Sequence, residues 1–179
     1  PLEVCLNGHG LRDDGCWAVA DACRAGGGGG ALRTLALRSN HISGDGAAAL
    51  CKALERGAAP GLEALDLGRN RIGAAGGRAL GELLFATRQP AALPAPLRRL
   101  CLQRCGLNDD GAALVASGVV GNGRLKALDL SENGVGEYGA AALARALLYS
   151  GGQEDTRVVT STTRSDLNVR HKCVVSQTN

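Results

Sequence analysis

One pattern recurs five times along the chain, and it restricts the possible folds more than any other feature. The copies begin at Pro1, Leu32, Leu62, Leu97 and Leu125, at spacings of 31, 30, 35 and 28 residues. Val4, Leu35, Leu65, Leu100 and Leu128 fill the fourth place, and Leu6, Leu37, Leu67, Leu102 and Leu130 the sixth. Apolar residues two apart make a short strand with one buried face, because strand side chains alternate. The ninth place holds His9, Asn40, Asn70, Cys105 and Asn133, where a short polar side chain bonds the backbone of a turning loop. The eleventh place is Leu11, Ile42, Ile72, Leu107 and Val135, and the fifteenth is glycine in every copy (Gly15, Gly46, Gly76, Gly111 and Gly139). Beyond that glycine come Ala49, Leu50, Ala53 and Leu54, then Ala79, Leu80 and Leu83, then Ala142, Leu143, Ala146 and Leu147. Those spacings define one face of a helix.

One strand and one helix cannot bury their faces alone, so the copies must stack. The prediction is an α/β solenoid of five repeats over residues 1–150, with parallel strands on the concave side and helices on the convex side. The motif resembles the leucine-rich repeat L-x-x-L-x-L-x-x-N/C-x-L, and the repeat length is similar to that of the ribonuclease-inhibitor-like subfamily. The resemblance covers residues 1–149 and implies a curved horseshoe arc. Proteins with such repeats include ribonuclease inhibitor, Ran GTPase-activating protein, NLR receptors, tropomodulins and axonemal subunits. Repeat 1 departs from the pattern at Pro1 and His9, as an edge copy would, or a copy beside repeats missing from this chain.

Composition agrees with small side chains in regular layers. The chain is 45% apolar, yet its 179 residues include one Trp, one Phe, two Tyr and no Met. A chain without Met that opens on Pro1 is expected to be part of a longer product. Its formal charge of +3 implies neither a nucleic-acid nor a membrane role, and no apolar run approaches the ~18 residues that span a bilayer. Seven scattered cysteines without a C-x-x-C pair point to a reducing, cytoplasmic compartment.

Gly26 to Gly30 form a flexible link before repeat 2, and QPAALPAP, with Pro90, Pro94 and Pro96, forms a stiff, extended insertion before repeat 4. GVVGNG, from Gly118 to Gly123, is the loop leading into repeat 5. Residues 151–179 form a polar C-terminal segment outside the repeat. Two readings of it stand side by side: a closing strand around Val158 and Val159, or a disordered tail.

The five-glycine run lacks the Lys-Ser/Thr of a phosphate-binding loop and follows a helix, so it is a linker. His9 is a hydrogen-bonder in its loop. His41 sits in a loop, and His171 lies in the tail beside Cys173. Cys16, Cys23 and Cys51 fall on helices as small residues, and Cys105 belongs to the ladder of ninth-place residues. None of these converges on a catalytic or metal-binding group, so no catalytic residue, metal or cofactor is expected.

Binding is expected on the concave face, where the motif sets Arg33, Arg38, Arg69, Arg98, Arg99, Arg104 and Lys126 among Glu3, Glu63, Asp66, Asp129 and Glu132. Neighbouring strands lie ~4.8 Å apart, so Glu63 should flank Arg98 and Arg104 should flank Glu132. One reading is a self-neutralising charge ladder. The other is an Arg-rich stripe in repeats 3 and 4 for an acidic partner. The expected function is a non-enzymatic protein-interaction scaffold within a multi-subunit cytoplasmic, cytoskeletal or ciliary assembly. The alternatives are a GTPase-activating protein of the Ran regulator type and the sensor repeats of an NLR-type receptor. The Ran regulator family carries a long acidic C-terminal stretch. This tail instead sets Glu154, Asp155 and Asp166 against Arg157, Arg164, Arg170 and Lys172.

Overall fold

A computed structural model describes residues 2–25, 30–88, 97–149, 157–161 and 172–175. The glycine run at 26–29, the proline-bearing insertion at 89–96 and His171 lie outside the described residues. The elements alternate as β1 (Leu2–Cys5), α1 (Arg12–Ala25), β2 (Leu32–Ala36), α2 (Gly44–Glu55), β3 (Ala64–Asp66), α3 (Gly73–Ala86), β4 (Arg99–Cys101), α4 (Asn108–Val119), β5 (Ala127–Asp129) and α5 (Glu137–Leu148). Two strands follow, β6 (Arg157–Ser161) and β7 (Lys172–Val175). The seven strands form one open sheet in chain order, parallel from β1 to β6, with β7 antiparallel.

The fourth-place residues Val4, Leu35, Leu65, Leu100 and Leu128 stand opposite one another across the sheet, and Val158 of β6 extends the row. In the interior repeats the fourth, sixth and eleventh places are sealed, and Leu37, Leu67, Leu102, Ile42 and Leu107 are fully buried. Each fully buried aliphatic side chain contributes about 1.5–3 kcal/mol. In repeat 1 the same places (Val4, Leu6 and Leu11) are half-buried.

Between strand and helix the chain turns inside the protein, so its peptide groups need internal partners. The ninth-place asparagines supply them. Asn70 accepts at Oδ1 from the amides of Asn40 (2.9 Å) and Ile42 (3.1 Å) in the preceding repeat. Its Nδ2 donates to the carbonyls of Leu37 (2.9 Å) and Leu67 (2.8 Å). Asn133 treats Cys105, Leu107, Leu102 and Leu130 in the same way. Asn40 accepts from His9 and Leu11 and donates to Leu6. Cys105 fills this place with a thiol, which donates to the Leu67 carbonyl at 3.2 Å. His9 is exposed, and its Nδ1 lies 2.8 Å from the carbonyl of Asn7, within its own loop.

The fifteenth-place glycines mark where each helix meets the one before it. A Cβ on Gly46 would stand 3.1 Å from the Cα of Asp13, one on Gly111 3.3 Å from that of Ala74, and one on Gly139 3.2 Å from that of Asp109. The same Cβ would also press on the eleventh-place side chain one turn back: Leu11 below Gly15, Ile72 below Gly76 and Leu107 below Gly111. The contact of α3 with α4 is the tightest. A Cβ on Gly81 would overlap the Leu114 carbonyl, and one on Gly118 would overlap that of Gly81. Gly118 and Val119 therefore close the last turn of α4, and the loop into repeat 5 begins at Val120 rather than at Gly118.

Two helix starts are capped across repeats. Asp13 of α1 accepts from the amide of Ser43 (2.8 Å) and from its hydroxyl (2.6 Å), while Ser43 Oγ accepts from Asp45. Asp109 of α4 accepts from the amides of Gly136 (2.7 Å) and Gly139 (2.9 Å).

Asn70→Ala strips partners from two buried amides and two carbonyls, each worth about 1–3 kcal/mol when left unmade. A loss near 3–5 kcal/mol in denaturant unfolding is expected. His9→Ala, at the same place in the motif but exposed, should cost under about 0.5 kcal/mol.

Candidate functional site

Residues at the third and fifth places of each repeat point away from the helices and pave the concave face. Register sets Glu3, Thr34, Ala64, Arg99 and Ala127 in one row and Cys5, Ala36, Asp66, Cys101 and Asp129 in the next. Thr34, Ala64 and Ala127 are short, so a shallow trough of about 340 Å³ opens around Arg99, with Asp66, Cys101 and Asp129 along its second side. Reading from charged residues alone passes over this floor, because its signal is the smallness of alternate strand residues.

The charges on the face divide into paired and unpaired groups. Arg33 lies 3.7 Å from Glu63 and donates to the carbonyls of Gly30 and Gly61. Those anchors hold its guanidinium beside Glu63, so the expected Glu63–Arg98 pair is replaced by Glu63–Arg33. Glu63 meets Arg98 and Arg99 through its backbone carbonyl instead, accepting from both amides at 2.8 and 2.9 Å. Arg104 lies 4.0 Å from Glu132, where the strand spacing put it. Arg38 lies 3.9 Å from Asp66 and bonds Gln103, which donates to Glu132 at 2.8 Å. These half-exposed pairs contribute about 0–1 kcal/mol each, so they organise the face more than they stabilise it.

Arg98 and Arg99 are exposed and form no ion pair among the described residues. Arg69 is likewise exposed, in a turn after β3. Lys126, half-buried, enters β5 with its amide bonded to the Arg98 carbonyl at 2.7 Å. The structure thus gathers Arg98, Arg99 and Lys126 at one end of β4 and β5, with Arg38 and Arg104 joined through Gln103 and Glu132 at the other. Arg33 shares the row of Arg98 two strands away, and Arg69 stands beside Arg104, its amide bonded to the Gln103 carbonyl at 2.7 Å.

Cys101 sits on the trough floor, 3.9 Å from Oδ2 of Asp129 and 3.9 Å from Nη1 of Arg38. Burial pushes its thiol up to about 11, the Asp66 and Asp129 carboxylates add to the rise, and the Gln103 amide opposes it. Burial likewise raises Cys105 and Cys16 to about 12. At neutral pH these thiols are protonated and poor nucleophiles. Alkylation of Cys101 by iodoacetamide should therefore climb about tenfold per pH unit from pH 8 to 10, rather than levelling off near 8.5 as an ordinary thiol does. Exposed Cys5 should react first, as peptide mass spectrometry of the labelled chain will report.

Residues 32–51, 60–81 and 124–144 match the family described as Leucine Rich repeat. Leucine-rich repeat-containing protein 45 of Gallus gallus is 38% identical over 100 residues, 56% of this chain and 14% of that protein. Protein NLRC5 of Mus musculus is 33% identical over 120 residues, 67% of this chain and 6% of that protein. The chain thus spans a small part of the length of these relatives. Five copies in register, parallel strands backed by helices, and these matches make the chain a leucine-rich-repeat protein of the ribonuclease-inhibitor-like kind, a module for protein interaction.

Proposed function

We propose that the chain is a non-catalytic scaffold surface that takes an acidic segment of its partner on the concave face. The observation that supports this reading is the pair Arg98 and Arg99, exposed beside a trough and without an ion pair among the described residues. Each of Arg33, Arg38 and Arg104 already has an acidic neighbour. A guanidinium not yet committed offers a planar fork that pairs carboxylates through two hydrogen bonds. The small floor residues give an extended or helical segment room to approach that fork.

The proposed setting is a cytoplasmic assembly of several subunits, of the cytoskeletal or ciliary kind. Free thiols at Cys5, Cys16, Cys23, Cys51, Cys101 and Cys105 support a reducing compartment. The similarity to Protein NLRC5 favours a second reading, the sensor repeats of an NLR-type receptor.

The test is affinity capture of the tagged full chain from its own cells, alongside an Arg98→Glu, Arg99→Glu double variant. The wild type is expected to return a stable set of structural subunits. The double variant should return at least tenfold less, with an unchanged melting temperature because both side chains are exposed. Equal recovery by the two proteins would contradict the concave reading. Recovery of a small GTPase, or of a chain bearing a nucleotide-binding domain, would replace the scaffold with a regulator or a receptor.

A further inference from the structure

The carboxylates that line the concave trough divide as its arginines do. Asp66 has Arg38 at 3.9 Å. Asp129, two strands away in the same row, forms no ion pair among the described residues. Its Oδ1 accepts from the Ser131 amide at 2.9 Å, and its Oδ2 has the Cys101 thiol at 3.9 Å. That thiol stays protonated at neutral pH, because burial pushes it up to about 11, so it brings no charge to the oxygen. Asp129 is half-buried against the small floor residues Ala127 and Ala64. A carboxylate partly removed from water gains more from a cation than an exposed one does. The trough thus holds one guanidinium and one carboxylate, each without a countercharge among the described residues.

Register sets the distance between the two. Arg99 stands opposite Ala127, and Asp129 lies two residues farther along β5. Two residues of strand rise about 6.7 Å and neighbouring strands lie about 4.8 Å apart, so the two Cα atoms are about 8 Å from each other. In an extended chain, residues two apart point to the same side at a separation of about 6.7 Å. An opening of about 340 Å³ admits a few side chains of such a chain, whereas a helix about 10–12 Å across would stay above the floor. The trough is built by β3, β4 and β5, which have β2 and β6 on either side, so its shape does not depend on a chain end.

We propose that the trough reads a pair of opposite charges: its occupant is an extended segment of the partner with a Glu or Asp on Arg99 and, two residues away on the same side, a Lys or Arg on Asp129. This inference rests on the docking of an acidic segment at Arg98 and Arg99 and adds a requirement to it. A run of acidic residues would set a like charge against Asp129, so the trough discriminates against uniformly acidic partners and not only against neutral ones.

The test uses a phage-displayed library of random dodecapeptides selected on the immobilised full chain. Enriched peptides are expected to share an acidic residue with Lys or Arg two positions from it. One of them is synthesised with a fluorescent label and titrated by anisotropy, beside a form with that cation replaced by alanine. Asp129→Asn removes the charge yet keeps an oxygen for the Ser131 amide, so its melting temperature should be unchanged. It should weaken the parent peptide about tenfold and the alanine form less than about twofold, the coupling expected of a charge-assisted contact. Selection on Asp129→Lys should in turn enrich peptides with a second carboxylate in place of the cation. Acidic peptides with no cation at that spacing, or an Asp129→Asn loss equal for the two forms, would overturn this inference and leave the Arg98 and Arg99 reading in place. No enrichment, or binding indifferent to Arg98→Glu, Arg99→Glu, would overturn both.

Discussion

A buried side-chain amide with both of its halves engaged is the interaction on which this structure depends. Each strand leads into a loop that turns beneath the next copy, where water cannot reach the peptide groups. Asn70 and Asn133 take two amides and two carbonyls apiece in these loops, some from their own copy and some from the one before. One copy therefore cannot satisfy its own backbone until its neighbour is in place, which is the nearest-neighbour coupling of repeat proteins in chemical terms. The leucine rows add most of the buried area, but burial is not directional. The asparagine clamp fixes the register at which those rows meet.

Helix spacing on the convex side has its own constraint. The fifteenth-place glycine lets one helix rest on the backbone of the previous one, and the sixteenth and twentieth places stay small for the same reason. Cys105, where an asparagine is otherwise usual, shows how far the clamp tolerates change. Its thiol lies near the carbonyls of Leu67 and Gln103, and the junction between repeats 3 and 4 is also the one where Gly77, Gly81, Gly111 and Gly118 bring two helices closest. Because packing takes up the inward side chains, the third, fifth and seventh places are released to set the chemistry of the concave face. There Thr34, Ala64 and Ala127 open a floor beside Arg99.

Much of the fold was legible in the sequence because its signals are local and periodic. Leu at the fourth and sixth places, apolar residues at helix spacing and Asn at the ninth place specify strand, helix and turn without knowledge of any neighbour. Contacts between copies were not legible. The roles of Asp13 and Asp109 as caps for the following helix depend on distances across about thirty residues of chain. The choice of Arg33 rather than Arg98 by Glu63 turns on carbonyl anchors at Gly30 and Gly61 that no strand spacing reveals. For residues 151–179 the sequence left a closing strand around Val158 and Val159 beside a disordered tail, and the antiparallel β7 carries no repeat signal at all. On the candidate site, the sequence sets the arginines among acidic residues, but which of them remain unpaired is a property of side-chain geometry.

Partners are proposed to meet the concave face at Arg98 and Arg99. The most direct test is arginine footprinting with phenylglyoxal on the complex purified from the source cells, compared with the free chain. Arg98 and Arg99 should be protected in the complex while the exposed Arg56, Arg71 and Arg78 react as before. Protection of Arg78 on the convex helix α3, with Arg98 and Arg99 left reactive, would contradict the proposal.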